Sequence, residues 1–283
     1  MKKIDKNKIK TWFVTGASSG IGLELCNQLL ERGFNVVAVA RRTPIFNNEN
    51  ALCISCDVTD PQSIINAFNK GVEKFGRIDV LSNNAGISSY LTLEEETPEK
   101  MRTVMEVNFW GTYNTIKVLL PHFRNNSNGT IINNSSECGI IPRAFGAAYC
   151  SSKHAIEGLS SSLWHEAKSF CRVMTVELSF FEGTNIGKNE IKGVTQYKEY
   201  KGIQWLPFKH KAKKNDYKKA VKFIIEAVEK ERLQRRLMLG SDIIPKIMFE
   251  IKSLKNDLRR SKRRALNCKL KKRSFIEKLM RRK

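Results

Sequence analysis

Along the first 245 residues, short continuous apolar runs alternate with segments whose apolar positions recur every three to four residues. The runs predict strands at Trp12-Phe13-Val14-Thr15, Asn35 to Val39, Leu52 to Ser55, Val80-Leu81, Thr130 to Asn134 and Val173 to Glu177. The periodic segments predict helices over Ile21 to Arg32, Pro61 to Phe75, Pro98 to Phe123, Ala148 to Ser169 and Asp216 to Glu231, ahead of a last apolar run at Leu237-Met238-Leu239. The strands are apolar throughout rather than at every second position, as expected when helices cover both faces of a sheet. This alternation predicts an α/β fold with a doubly wound parallel sheet over residues 11–242. Residues 1–10 read as a basic lead-in and 243–283 as a basic, partly helical extension.

Charge changes this picture at one end. The net charge is +22, but 16 basic and 3 acidic residues fall between Lys246 and Lys283, so more than half of the excess sits in the extension. No stretch reaches the roughly 18 apolar residues of a spanning helix, and the Lys-rich start runs into a strand rather than a signal-peptide core. A cytoplasmic protein is expected. The 7 cysteines are scattered, which suits a reducing compartment. Cys53 and Cys56 form a lone C-x-x-C without a second ligand pair, so no metal site is expected.

The first strand opens directly into Thr15-Gly16-Ala17-Ser18-Ser19-Gly20-Ile21-Gly22 and a helix. Glycines there permit a tight bend and close approach of a pyrophosphate to a helix N-terminus, although a plain strand-to-helix turn would use them too. After the second strand stand Arg41 and Arg42, where selection of NAD would call for an acidic residue. Two guanidiniums suit a 2′-phosphate, hence NADP; solvated loop arginines are the alternative. Tyr149 and Lys153 are four apart on a predicted helix and share a face. An adjacent ammonium would lower a phenol pKa that is otherwise about 10.

Taken together, T-G-A-S-S-G-I-G, Asp57-Val58, Asn83-Asn84-Ala85-Gly86, Asn108, Ser136, and Tyr149 with Lys153 stand in an order and spacing that resembles the short-chain dehydrogenases/reductases in their single-domain, steroid-dehydrogenase-like form. The resemblance runs from about Lys10 to Asp242 and implies a Rossmann fold. It also implies that Gly16, Ser18, Ser19, Gly20, Ile21 and Gly22 hold the pyrophosphate, that Asp57 and Val58 flank the adenine, and that Asn84, Ala85 and Gly86 approach the cofactor ribose. Tyr149 would be the general acid/base, and Ser136 would hydrogen-bond the reacting oxygen. Lys153 would tune Tyr149 and hold the ribose, and Asn108 would fix a water that links Lys153 to solvent. One departure concerns the loop after the sixth strand. Where many relatives carry Pro-Gly, this chain has Leu178-Ser179, which leaves open how Phe181 and Thr184 meet the nicotinamide.

Cys138, Ile140, Ile141, Pro142, Phe145, Phe180, Phe181 and Trp205 to Phe208 would surround such a site and favour a lipophilic ketone or alcohol; a core role fits several of them equally. In the extension, Ile247, Ile251, Leu254 and Leu258 recur at helical spacing. From Arg259 to Lys283 there are 13 basic residues and one acid, with Leu266, Leu270, Phe275, Ile276, Leu279 and Met280 interspersed. Peripheral contact with anionic lipid, affinity for nucleic acid and a merely solvated tail all fit that composition. The expected partners are a lipophilic small molecule, a membrane surface ahead of nucleic acid, and further copies of the chain. The competing function is a nucleotide-sensing binding protein whose catalysis is incidental.

Overall fold

The computed structural model describes residues 10–181, 184, 191–192, 197–203 and 215–268. Seven parallel strands make the sheet: β1 (Thr11–Thr15), β2 (Asn35–Ala40), β3 (Ala51–Ser55), β4 (Val80–Asn83), β6 (Thr130–Asn134), β7 (Arg172–Leu178) and β9 (Arg236–Leu239), in the order β3-β2-β1-β4-β6-β7-β9. Two further strands, β5 (Ser89–Tyr90) and β8 (Ile191–Lys192), pair separately and are too short to show as a periodic pattern. The helices are α1 (Gly20–Glu31), α2 (Pro61–Phe75), α3 (Pro98–Met105), α4 (Gly111–Asn125), α5 (Ala147–Ala167), α6 (Tyr217–Glu229) and α7 (Ile243–Asn267). The fold is the doubly wound parallel sheet expected from the sequence. Contacts divide the chain into two compact units, Met1–Ile244 and Pro245–Lys283.

Successive residues of a strand point to opposite faces, and β1 shows what that does for the core. Trp12 and Val14 join Leu25, Leu29, Val221 and Ile225 from α1 and α6 in one layer. Phe13 turns the other way to meet Ile64, Ile116, Leu119 and Leu163 from α2, α4 and α5. Burial on both faces is why the strands read as unbroken apolar runs. The same alternation sends Cys53 and Cys56 into opposite layers, so the C-x-x-C does not present its two thiols together.

Local signals fix the helix starts. Asp60 accepts from the Gln62 N–H at 2.9 Å ahead of Pro61, and Asp216 accepts from Lys218 N–H at 2.9 Å. The single helix predicted over Pro98 to Phe123 is instead α3, one π-helical turn at Glu106–Trp110, and α4. A π turn adds a residue to the ladder without changing the apolar spacing enough to be read from sequence. Its middle residue is Asn108.

The order of strand addition reverses between β1 and β4: the chain moves outward from β1 to β3, then crosses back to place β4 on the other side. In open α/β sheets, the carboxyl ends of the strands at such a switch point leave a crevice for a ligand.

Candidate active site

At the carboxyl end of β1, Gly16 takes a φ of +66° and Gly20 a φ of +56°, conformations that favour glycine. A Cβ on Gly16 would lie 2.9 Å from the Ala85 backbone, and one on Gly22 would lie 2.4 Å from the Gly16 oxygen. Thr15 completes this close packing, its Oγ1 accepting from the N–H groups of Asn84 at 3.0 Å and Ala85 at 3.1 Å. Ser19 caps α1 without a side-chain hydrogen bond, so the first-turn N–H groups are not claimed by that hydroxyl.

A cavity of about 500 Å³ opens over this turn. Gly16, Ser18, Ser19, Gly20, Ile21, Gly22, Arg41, Arg42, Asp57, Val58, Asn84, Ala85, Gly86, Tyr149, Lys153, Phe181 and Thr184 all contribute to its wall. Thus each residue that the sequence points to for a cofactor faces the same space. Arg41 and Arg42 are exposed, and Arg42 Nη2 donates to the Ser18 carbonyl at 3.3 Å, folding its guanidinium back towards the glycine turn. Asp57 Oδ1 accepts from Thr59 N–H at 2.9 Å and Thr59 Oγ1 at 2.8 Å, which fixes the loop after β3. A wall of backbone that admits no Cβ, beside a helix N-terminus and two arginines, fits a dinucleotide phosphate.

Ser136, Tyr149 and Lys153 reach the same cavity from β6 and α5. Ser136 Oγ donates to the Leu178 carbonyl at 3.4 Å and accepts from Cys138 N–H at 3.2 Å. It also hydrogen-bonds the Tyr149 phenol, which pulls that pKa down. The larger effect is burial, aided by the neighbouring Cys138, and the phenol stands above its ordinary value. This differs from the expectation that Lys153 would depress it. Lys153 Nζ lies 5.7 Å from the Tyr149 ring centroid and donates to the Asn134 carbonyl at 2.7 Å. Burial brings the Lys153 ammonium down to about 8, opposed by Cys138 and Glu157.

Asn108 stands behind the cavity rather than in its wall. Its Oδ1 accepts from Ile87 N–H at 2.9 Å, and its Nδ2 donates to the Ile87 carbonyl and to Ser152 Oγ, each at 2.9 Å. Both amide hydrogens are thereby committed to clamping the loop after β4 against α5. That is a positioning job for the side chain, distinct from the water-holding one that the resemblance implies.

The pocket residues inferred from apolarity need correction. Cys138, Phe180 and Phe181 line the cavity, but Ile140, Ile141, Pro142 and Phe145 do not; Ile141 is a core residue, and Trp205 to Phe208 lie outside the described residues. In their place the wall includes Tyr90, Arg143, Asn134 and Leu178. Arg143 is buried in an ion pair with Glu137 and donates to Tyr90 Oη at 3.4 Å, while its Nε–H has no hydrogen-bond partner among the described residues. No local pattern marks Arg143, because its partners are brought together by long-range folding.

The Leu178-Ser179 departure also has a structural account. Ser179 N–H donates to the Leu239 carbonyl at 2.9 Å, and Ser179 Oγ lies 2.9 Å from Glu137 Oε2 and 2.7 Å from Asp242 Oδ1. One hydroxyl hydrogen between two carboxylates calls for a second shared proton. The loop is thereby tied to Glu137, hence to Arg143. Thr184 Oγ1 turns back onto the Phe181 carbonyl at 3.0 Å.

The profile of the short chain dehydrogenase family matches residues 10–194, well over half of the chain. The chain belongs to that family. Oxidoreductase BOA17 of Botryotinia fuckeliana is 36% identical to this dehydrogenase over 174 residues, 59% of this chain and 64% of that protein. The chain therefore spans slightly less than two thirds of that relative's length. The 3-ketodihydrosphingosine reductase of Bacteroides thetaiotaomicron is 37% identical over 157 residues, 56% of this chain and 58% of that one. A solved short-chain dehydrogenase of Streptomyces avermitilis superimposes with a TM-score of 0.82 at 29% identity, covering 93% of this chain and 100% of its own. Membership makes this protein a nicotinamide-dependent dehydrogenase or reductase.

Proposed function

We propose that this dehydrogenase uses NADP(H) and interconverts a carbonyl and a secondary alcohol on a lipophilic small molecule, with Tyr149 as general acid/base. The observation that carries the reading is a single cavity shared by the glycine turn, Arg41 and Arg42, and the Ser136, Tyr149 and Lys153 side chains. Nicotinamide, when bound, supplies the hydride. The chain supplies the proton and the geometry. Tyr149 Oη delivers a proton to the carbonyl oxygen in reduction, and its raised pKa keeps it protonated for that task. Ser136 Oγ donates to the same oxygen as charge develops. Lys153, anchored on Asn134, holds a positive charge beside Tyr149 and binds ribose hydroxyls.

The lipophilic substrate is supported by Phe180, Phe181 and Leu178 in the wall, and by the 3-ketodihydrosphingosine named for one relative. Turnover of NADPH with a panel of long-chain ketones and aldehydes tests the reading. Consumption of NADPH with at least one of them is expected; cofactor binding without turnover on the panel would favour the nucleotide-sensing alternative.

Arg41 and Arg42 carry the choice of cofactor. Replacing both with Ala removes two charge-assisted contacts to a 2′-phosphate, and kcat/KM for NADPH should fall about 10-fold or more while that for NADH changes little. Equal kcat/KM for the two cofactors in the unaltered protein would overturn the assignment.

The extension is assigned to peripheral contact with anionic lipid. Among its described residues, α7 exposes Leu254, Leu258 and Leu266 amid basic side chains, and no described helix is long and apolar enough to cross a membrane. Basic groups near an anionic surface gain about 1 kcal/mol each, less with added salt. Full-length protein should co-sediment with vesicles containing phosphatidylserine and be released by moderate salt, whereas a version ending at Leu258 should stay in the supernatant. Equal partitioning of the two would refute the lipid contact, and preferential binding of nucleic acid would replace it.

A further inference from the structure

Two thiols that the proposed reaction does not use stand against its proton donor. Cys138 follows Ser136 by two positions in the 3-10 turn Glu137–Gly139, and Cys150 follows Tyr149 in the first turn of α5. Cys138, Tyr149 and Cys150 pack together as a buried cluster of their own, apart from the two layers of the sheet core. The sulfurs are hydrogen-bonded to one another and are reduced thiols. Only Cys138 lines the cavity, so one member of the pair faces the space that admits small molecules while the other backs it.

We propose that Cys138 and Cys150 are a peroxide-sensitive dithiol whose closure to a disulfide disables the site. The chemistry is set by three neighbours. The hydrogen bond from Cys138 is the largest influence lowering the Cys150 pKa, to about 6, against the opposing effect of burial; the Arg143 backbone and guanidinium and the His154 imidazole add to it. A thiolate is therefore present in the pair near neutral pH. The proton of Cys138 passes along the hydrogen bond to Cys150, and the Cys138 thiolate attacks the O–O bond of hydrogen peroxide. A Cys138 sulfenic acid forms, and the departing hydroxide takes up a proton from the medium. Cys150 then attacks the Cys138 sulfur, forming the S–S bond and displacing hydroxide, which leaves as water with the Cys150 proton. Two thiols are oxidised by two electrons in all, and one peroxide is reduced to two waters.

The consequence for catalysis rests on the proposed roles of Ser136 and Tyr149. Closing the bond draws the sulfurs from hydrogen-bond separation to about 2.05 Å, which pulls the 3-10 turn and the start of α5 together. Ser136 and Tyr149 sit immediately before the two cysteines. A displacement of about 1 Å at reacting groups can cost about 10²-fold in rate.

The test treats the full-length protein with hydrogen peroxide, blocks remaining thiols under denaturing conditions, and maps the products by mass. A peptide cross-link joining Cys138 to Cys150 is expected, with NADPH turnover falling at least 10-fold and returning on addition of dithiothreitol. In Cys150→Ala, the ratio of treated to untreated activity should stay near one. Absence of the cross-link overturns the dithiol, and a cross-link with unchanged turnover overturns its control of the site. The mass map is independent of turnover, so an inactive reduced protein would count against the proposed function and leave the thiol result standing by itself.

Discussion

Tyr149→Phe is expected to lower kcat by about 10²–10⁴-fold, the usual worth of a positioned general acid, while changing the Kd for NADPH by less than about threefold. The substitution removes one oxygen and little else. The ring remains packed at the start of α5, and Lys153 Nζ keeps its 2.7 Å bond to the Asn134 carbonyl. Ser136 loses its phenol partner but retains the Leu178 carbonyl and the Cys138 N–H, so no buried hydroxyl is stranded. The split between catalysis and binding is what distinguishes a proton donor from a structural tyrosine, whose removal would weaken both. Steady-state rates together with fluorescence titration of NADPH measure it. Wild-type kcat in the variant would end the assignment.

The parts of this protein visible in its sequence share a physical reason. Strands buried on both faces must be apolar at every position, and helices over a sheet must repeat their apolar groups every three to four residues, so Pro61–Phe75 and Thr130–Asn134 appear in the structure with the bounds that the pattern predicts. The cofactor wall was equally legible, because a turn that admits no Cβ leaves glycines in the sequence as its trace. What the sequence concealed depends on distant partners. Arg143 looks like a surface arginine until folding sets Glu137 and Tyr90 around it. Ser179 looks like a lost Pro-Gly until Asp242, 63 residues further on, reaches its hydroxyl. The expectation that Lys153 would lower the Tyr149 pKa came from helical spacing alone; burial, which spacing does not report, outweighs it. Apolar residues near Tyr149 in sequence were a poor guide to the pocket for the same reason, since Ile141 satisfies its hydrophobicity in the core.

Gly22→Ala tests the other half of the site by sterics alone. An added Cβ would stand 2.4 Å from the Gly16 oxygen and 2.9 Å from the Gly16 carbonyl carbon, both backbone atoms with no rotamer to yield. Gly16 is hemmed in beyond them: it lies against Ala85, whose N–H is held by Thr15 Oγ1 at 3.1 Å. The clash can be relieved only by moving the N-terminus of α1 away from β1, which spoils the surface offered to a pyrophosphate. Overpacking of this kind costs about 1–3 kcal/mol. If most of that falls on the ligand-bound form, NADPH binding weakens by roughly 10–100-fold, since about 1.4 kcal/mol is a factor of ten. Gly158→Ala is the matching control. Gly158 is exposed in the middle of α5 with nothing within 4 Å of its Cβ position, so alanine there should stabilise the fold by about 0.5–1 kcal/mol and leave NADPH affinity unchanged. Titration of NADPH and thermal melting of both variants give four numbers whose signs are fixed in advance: affinity and Tm both fall at Gly22, while at Gly158 affinity holds and Tm rises. Unaltered NADPH affinity in Gly22→Ala would mean that the cofactor does not lie against this turn.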